Sequence, residues 1–255
     1  MTFTRKLFLL PAFLIGLSGN SQVIFEDHFE GSTLNSAYWN YEEGDGCPHL
    51  CGWGNNEQQH YHRDYVRVED GNLVITAVKE ADRYLSGKIN SKDKMEFQYG
   101  IIELRAKLPK GKGLWPALWM LGADIAEVSW PASGEIDLME YVGREPGAIH
   151  TTLHTPASHG NSVNTKKTIV EDLEEGYHIY KAIWTPDSIS FFIDEKEVYV
   201  FEPETYDQEH YPFRKPFYFL INMAVGGTFG GQEIDDAALP AKFYVDYVRV
   251  TQLPD

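Results

Sequence analysis

The sequence predicts an all-β protein built as a two-sheet sandwich or a barrel. Its 255 residues include 15 Tyr, 14 Phe and 6 Trp, and aromatic side chains are enriched in strands. Many short segments alternate between apolar and polar residues, or are apolar throughout, over the length of a strand. Gly, Pro and Asn clusters separate these segments as turns. Regularly spaced strands with intervening turns favour two packed sheets over a helical fold.

The order of these segments along the chain gives the predicted elements. The hairpin "FIDEKEVYVF" has Asp194 to Lys196 at its tip, and short helical turns are expected near residues 122–128 and 235–239. No linker or shift in composition follows the N-terminal segment, so residues 22–255 are predicted to form one domain. The predicted strands are 72–79, 99–108, 134–142, 148–155, 177–184, 188–193, 198–201, 217–225 and 242–250.

The first residues, "MTFTRKLFLLPAFLIGLSGNSQ", have the pattern of a secretory signal. Arg5 and Lys6 precede an apolar run from Leu7 to Leu17, which is shorter than the roughly 20 residues that a membrane-spanning helix needs. We therefore expect residues 1–21 to be a cleaved signal peptide and the mature protein to be secreted, periplasmic or extracellular. A retained anchor and a buried strand are the alternatives.

The charge and the cysteines limit the possible partners. The formal net charge is −16, which disfavours nucleic acid, an anionic membrane surface and a strongly sulfated substrate. We expect a monomer without stable membrane association.

Cys47 and Cys51 lie in a Pro/Gly loop of an exported chain, so a disulfide is predicted. A metal site with His49 and His60 is the alternative.

The segment "SGEIDLMEYVG" places three acids in one predicted strand. Strict alternation would put Glu135 and Asp137 on one face and Glu140 on the apolar face. An unpaired carboxylate in the core is costly. A β-bulge near Leu138–Met139 would return Glu140 to the face of the other two acids. We therefore predict a bulge and a cluster of three carboxyl groups.

Such a cluster suits the cleavage of a glycosidic bond. One carboxylate can attack the anomeric carbon while a second, protonated carboxyl group donates to the leaving oxygen. Burial and like charge separate their pKa values, and a third acid between them can orient the nucleophile. A solvated strand face and a set of hard-cation ligands are the alternatives.

Neighbouring segments also fit a polysaccharide cleft. Apolar C–H faces of sugars stack on aromatic rings, and three tryptophans surround the acid strand, although such residues also build cores. The loop "GWGNNEQQHY" offers polar groups for sugar hydroxyls. Alternation in "AIHTTLHT" puts three polar side chains on one face that could flank the acids: His150, Thr152 and His154.

Taken together, these segments resemble glycoside hydrolase family 16, and within it the laminarinase-like endo-β-1,3-glucanases, over about residues 23–251. The similar motifs are "WGNNE", "YGIIELRAKLP", "LWPALWMLG", "GEIDLMEYVG", "TTLHT", "INMAVGG" and "YVDYVRV". The resemblance implies a β-jelly-roll sandwich of two curved antiparallel sheets with a concave substrate cleft. It also implies hydrolysis with retention of configuration.

By motif position, the resemblance implies roles for individual residues. Glu135 would be the nucleophile and Glu140 the general acid/base; Asp137 would assist, supported by a hydrogen bond from His154. The sugar-contacting positions would be Asn55, Lys88, Trp115, Trp119 and Trp130. Lys88 stands where the family often has Arg, and Phe229 where Trp is frequent.

The resemblance further implies one structural calcium ion away from the chemistry and no cofactor for catalysis. An oxygen at His28, the carbonyl of Gly71 and Asp246 would hold the ion, although His28 stands where the common motif has Glu. The expected function is secreted, endo-acting hydrolysis of laminarin-type β-1,3-glucan. The alternatives are a mixed-linkage β-1,3-1,4-glucanase and a non-catalytic β-glucan-binding protein.

Overall fold

Two β-sheets packed face to face form the described part of the chain, residues 22–254 of a computed structural model. The predicted signal peptide, residues 1–21, lies outside the described residues. The first sheet contains β1 (Val23–Asp27), β3 (Gln59–Tyr61), β4 (Val66–Glu69), β5 (Asn72–Glu80), β6 (Arg83–Ser86), β9 (Gly100–Lys107), β14 (His178–Trp184), β15 (Ile189–Ile193), β16 (Lys196–Phe201) and β18 (Ala241–Thr251). The second contains β2 (Asn40–Tyr41), β7 (Lys88–Asn90), β8 (Glu96–Phe97), β10 (Leu114–Gly122), β11 (Glu135–Tyr141), β12 (Ala148–His154), β13 (Thr165–Ile169) and β17 (Phe217–Val225).

Antiparallel pairing dominates both sheets. The first runs β16-β15-β14-β9-β18-β5-β6-β3, with β1 on β18 and β4 on β5, and only its β3–β6 pair is parallel within residues 22–254. The second runs β13-β12-β11-β10-β17-β7-β2, with β8 on β17. Short helices complete the elements: α1 (Ile125–Val128), α2 (Gly227–Gly230) and 3₁₀ turns at Cys51–Gly54, Arg63–Tyr65 and Asp236–Ala238.

The core lies between the sheets and follows from alternation along the strands. In β9, buried and partly exposed residues alternate without interruption, so one face of the strand is apolar. Leu104 of this strand is fully buried, as are Met120 and Phe219 of the second sheet. Removing these apolar side chains from water is the main stabilising term for the sandwich.

The predicted strands and the hairpin are confirmed. Asp194 and Glu195 at its tip have φ angles of 48° and 66°, as a two-residue turn that follows the strand twist requires. Helical turns also occur in both predicted places. The sequence did not reveal β10, because Pro116 lies inside it and proline cannot donate to a strand ladder. Pro116 pairs with β17, whereas the pairing of β10 with β11 covers Ala117 to Leu121.

The predicted bulge is present in β11. On one side, β10 pairs Leu118 with Met139 and Trp119 with Asp137, so Leu138 is the extra residue. On the other side, the register of β11 with β12 shifts between Asp137 and Glu140. The bulge therefore returns Glu140 to the face of Asp137.

The loop before β3 is closed by the predicted disulfide between Cys47 and Cys51, with an S–S distance of 2.03 Å. Within residues 22–254, no helix has the length and apolar character needed to cross a membrane.

Deleting Leu138 should unfold the protein or lower its free energy of unfolding sharply. Without the extra residue, alternation turns Glu140 toward the apolar core, where a carboxylate is costly. Leu138→Met is the matched control, because a swap of similar volume costs less than about 1.5 kcal/mol. Urea unfolding of both variants measures the difference. Equal stability of the two would show that the extra residue does not set the register.

Candidate active site

A cleft lies on the face of the second sheet that points away from the core. It encloses about 250 Å³. Its floor consists of side chains from β7, β10, β11 and β17, and the segment from residue 50 to residue 61 forms one wall. The lining residues are Glu42, Leu50, Trp53, Asn55, Glu57, Tyr61, Lys88, Trp115, Ala117, Trp119, Leu121, Glu135, Asp137, Glu140, Tyr218, Leu220 and Asn222.

The three acids of β11 all line this cleft. Each glutamate accepts a hydrogen bond from an indole. Trp130 donates through Nε1 to Oε2 of Glu135 at 2.7 Å, and Trp115 donates through Nε1 to Oε1 of Glu140 at 3.1 Å. Asp137 lies between them and is only 3% exposed. The structure thus brings together all three predicted carboxyl groups.

His154 approaches the acids from the neighbouring strand, where it is the register partner of Glu135. Its Nε2 lies 3.3 Å from Oδ2 of Asp137 and 3.9 Å from Oε1 of Glu135. The contact with Asp137 lacks the direction of a hydrogen bond, since Oδ2 of Asp137 has no hydrogen-bond partner among residues 22–254. His154 therefore lies beside both acids, and its predicted support of Asp137 stays a prediction.

The acids carry strongly shifted pKa values because they are buried together. Burial, and then the Asp137 charge, raise the pKa of Glu135 to about 8. Burial also raises the pKa of Asp137 to about 7. Burial, followed by the charges of Asp137 and Glu135, raises the pKa of Glu140 well above its usual value. The raised pKa keeps a proton on Glu140, as donation to a leaving oxygen requires.

The side chains at the predicted sugar contacts fall into two groups. Trp115, Trp119 and Asn55 line the cleft, and Trp119 donates through Nε1 to Oδ1 of Asn222 at 2.7 Å. Trp130 is 43% exposed and holds Glu135 instead of lining the cavity floor. Trp115 is 9% exposed, so it packs and orients Glu140 more than it offers open surface.

Lys88 is more enclosed than a simple sugar contact would be. It is 7% exposed and its Nζ lies 2.9 Å from Oε2 of Glu42. The same nitrogen lies 4.1 Å from the ring centre of Trp53 and 5.3 Å from that of Trp119. An ammonium ion in such a cage is held by cation–π attraction. Lys88 therefore binds the cleft wall to its floor.

A chain of polar residues, of which the sequence analysis singled out only Asn55, links the wall loop to the floor. Glu57 accepts hydrogen bonds from Asn55 at 3.2 Å, Gln59 at 2.7 Å and Tyr61 at 3.2 Å. Asn222 then donates to the hydroxyl oxygen of Tyr61 at 3.0 Å. The sequence indicated only the loop segment "GWGNNEQQHY". Asn222, the member of the network on β17, is too distant in sequence to be recognised with it.

Comparison with known proteins identifies the family. The model of "Glycosyl hydrolases family 16" matches residues 54–249. The chain belongs to glycosyl hydrolase family 16. The matched range contains the three acids, their indole donors and most of the residues that line the cleft.

Three relatives illustrate the similarity within family 16. A laminarinase from Flavobacterium sp. UMI-01 superposes with a TM-score of 0.89 at 52% identity, covering 91% of this chain and 100% of the other. Beta-glucanase of Rhodothermus marinus is 38% identical over 90% of this chain and 84% of its own length. Glucan endo-1,3-beta-glucosidase A1 of Niallia circulans is 40% identical over 89% of this chain, but this chain covers only 37% of that longer protein. The predicted β-jelly-roll sandwich is thereby confirmed.

The predicted calcium positions do not line the cleft, and two of their side chains have other partners. Asp246 forms an ion pair with Arg105 at 2.5 Å, and His28 lies 3.5 Å from Glu26. The pairing of β1 with β18 places the residues after Asp27 near Asp246, and Gly71 follows β4. Calcium prefers several oxygen ligands. Of the predicted positions, only Asp246 supplies a carboxylate, and it is paired with Arg105, so the calcium ion stays a prediction.

A second ligand set lies in the cleft. Glu135, Asp137 and His154 each offer an atom within 4.8 Å of the others, which keeps open the alternative of a cation held by the acid strand. Trp130 already donates to one oxygen of Glu135 and would compete with such an ion.

Replacing Glu140 by Gln should stabilise the fold relative to the native protein as the pH rises above the pKa of an unfolded glutamate. Because the pKa of Glu140 is raised on folding, its stabilising contribution is complete below the pKa of the unfolded chain. This contribution is lost as the pH rises toward the folded value, by about 1.4 kcal/mol for each pH unit. Glutamine does not ionise, so the variant should gain Tm relative to the native protein between pH 4 and pH 8. The exposed Glu127→Gln variant is the control, and parallel Tm curves for Glu140→Gln and the native protein would refute the raised pKa.

Proposed function

We propose that the protein is an endo-acting β-1,3-glucanase that hydrolyses laminarin-type polysaccharide with retention of configuration. The observation that carries the proposal is the placement of Glu135 and Glu140 on one face of the cleft strand, each held by an indole donor. The names of the family 16 relatives support the substrate class.

The proposed reaction has two steps. Glu135 attacks the anomeric carbon while Glu140 protonates the leaving oxygen, which gives a glycosyl ester on Glu135. Glu140, now ionised, takes a proton from water, and the water oxygen displaces Glu135 with a second inversion. Asp137 disfavours early ionisation of Glu140, and His154 offsets part of the negative charge around Glu135. This chemistry uses carboxyl groups alone and calls for no cofactor.

Chemical rescue by azide tests the two roles. Glu135→Ala and Glu140→Ala should each lose about three orders of magnitude or more in kcat/KM on laminarin. Azide should attack the first variant's substrate directly and give an α-glycosyl azide. In the second variant, azide should attack the glycosyl-enzyme and give a β-glycosyl azide. Anomer assignment by NMR distinguishes the products, with Glu127→Ala as the control.

The products of these reactions distinguish the two catalytic roles, and the choice of substrate that is cut distinguishes the alternative functions. Exchanged anomers would reverse the two roles. If the native protein releases no reducing ends from laminarin but cuts a mixed-linkage β-glucan, the alternative specificity is correct. Binding to glucan without any cleavage would identify a non-catalytic glucan-binding protein, against which the presence of both glutamates argues.

We further propose that the mature chain, residues 22–255, is one exported catalytic domain that acts as a monomer on extracellular or periplasmic glucan. The signal-like N-terminus and the Cys47–Cys51 disulfide support export, because disulfides persist in oxidising compartments. The net charge of −16 supports the expectation that nucleic acid and anionic membranes are not partners.

A structural calcium ion remains a prediction. Backbone oxygens at His28 and Gly71 could bind it with Asp246 only if Arg105 releases that carboxylate. We expect calcium to raise Tm only slightly relative to a chelator, since weak binding stabilises little. Thermal unfolding with and without calcium measures this, and Asp246→Asn should abolish any shift. A large rise in Tm that survives Asp246→Asn would place calcium elsewhere.

A further inference from the structure

Two buried amide side chains behind the cleft wall, those of Gln59 and Asn222, each have a fixed orientation. The indole of Trp119 can only donate through Nε1, so the atom of Asn222 that lies 2.7 Å from it is the acceptor Oδ1. A backbone N–H also only donates, so the N–H of Val225 fixes the position of Oε1 of Gln59, at 2.7 Å. Each amide must therefore direct its NH2 group to the opposite side.

Both of these NH2 groups lead to Glu57. Nε2 of Gln59 donates directly to Oε2 of Glu57 at 2.7 Å. Nδ2 of Asn222 donates to the hydroxyl oxygen of Tyr61 at 3.0 Å, and that hydroxyl donates in turn to the same Oε2 at 3.2 Å. Burial, and then the charge of Glu57, raise the pKa of Tyr61 well above its usual value, so the hydroxyl keeps its proton. All the donors on the path from Trp119 therefore point toward Glu57.

Glu57 is the common acceptor of three side-chain donors, because Nδ2 of Asn55 also donates to its Oε1, at 3.2 Å. Burial raises the pKa of Glu57, whereas the hydrogen bonds from Gln59 and Asn55 and the charge of Lys88 lower it. An ionised carboxyl group presents only acceptor atoms, so it can accept from all three donors. Its charge strengthens these bonds, and hydrogen bonds in a chain polarise one another. The charge of Glu57 thus acts on groups that it does not touch.

The backbone of the wall loop is attached to the floor by separate contacts. Glu57 pairs with Gly226 through an isolated backbone bridge. The backbone N–H of Gln58 donates to the carbonyl oxygen of Val225 at 2.9 Å. These contacts do not involve the carboxylate, so a change of charge at Glu57 should alter side-chain orientations while the loop keeps its position.

We propose that Glu57 is a positioning residue that orients two side chains of the cleft, Asn55 directly and Trp119 through Tyr61 and Asn222. The effect on catalysis rests on the proposed function, in which Asn55 and Trp119 contact the bound glucan. With Nδ2 of Asn55 held by Glu57, Oδ1 is the atom that remains for a sugar hydroxyl. The bond from Nε1 to Asn222 holds the indole of Trp119 in one orientation within the cleft.

The variant Glu57→Gln tests the proposal with little change in shape. Its amide oxygen can still accept from Gln59 and Tyr61, but its NH2 group then faces Nδ2 of Asn55, which must turn its amide over. The neutral oxygen also weakens the bonds that lead to Trp119. We expect KM for laminarin to rise about tenfold and kcat to change by less than about threefold, because these contacts bind the ground state and the transition state alike.

Proton–nitrogen NMR of the indole groups measures the hydrogen-bond path itself. The chain has six tryptophans, and the signal that is lost in Trp119→Phe belongs to Trp119. In Glu57→Gln, the Nε1 proton of Trp119 should move to higher field because its hydrogen bond is weaker. In a Tyr61→Phe background, which lacks the connecting hydroxyl, the same Glu57→Gln change should leave that signal unmoved.

The matched control is Glu43→Gln, which removes one carboxylate charge close to the same wall. Glu43 pairs with Arg63 and lies outside the path, so this variant should keep the native KM and the native Trp119 signal. If Tyr61→Phe does not fold, Asn222→Leu interrupts the path at the next link and replaces it in the comparison.

The contrary results are distinct. An unmoved Trp119 signal in Glu57→Gln would overturn the proposal. A shift of equal size with and without the Tyr61 hydroxyl would also overturn it, because a displaced loop would then carry the effect. A shifted signal with the native KM would overturn the role in substrate binding. A native protein that does not cleave laminarin would refute the proposed function alone, because the NMR comparison needs no substrate.

Discussion

The single extra residue in β11 is the constraint on which the rest of the site depends. A strand with one apolar and one polar face can hold acids only at alternate positions, and Glu140 breaks that rule by its spacing from Asp137. Leu138 absorbs the mismatch as a bulge between β10 and β12. Leu138 and Met139 both remain in the core, so the correction does not expose apolar surface. Without it, one carboxyl group would lie in the core and the cleft would hold two.

The bulge collects negative charge in a buried place, and the surroundings only partly offset the cost. Two indole N–H groups, one from Trp130 and one from Trp115, each serve one glutamate. His154 adds a nearby basic group. The pKa values of all three acids remain raised, so the folded state resists full ionisation. Reactivity and stability thus oppose one another in this strand.

The cleft is held in shape by contacts between segments that are far apart in the chain. Glu57, Tyr61, Asn222 and Trp119 form a continuous hydrogen-bond path from the wall loop to the floor. Lys88 adds a cationic contact between Trp53 and Trp119. At the other end, Phe229 packs against Trp115. Aromatic rings fixed in this way lose little freedom on binding, which is the advantage of a preformed sugar cleft.

The sequence by itself determined the all-β class, most long strands, the bulge and the clustering of Glu135, Asp137 and Glu140. These features follow from local rules of alternation, turn chemistry and the cost of buried charge. Local rules could not identify β10, because Pro116 interrupts the strand pattern. They also could not identify the short edge strands, because so few residues show no clear alternation. Only the tertiary structure decided that Trp130 and Trp115 donate to the glutamates, that Arg105 pairs with Asp246, and that Lys88 is enclosed by aromatic rings and Glu42. Those contacts join residues from separate strands and loops, and their geometry exists only after the two sheets have packed.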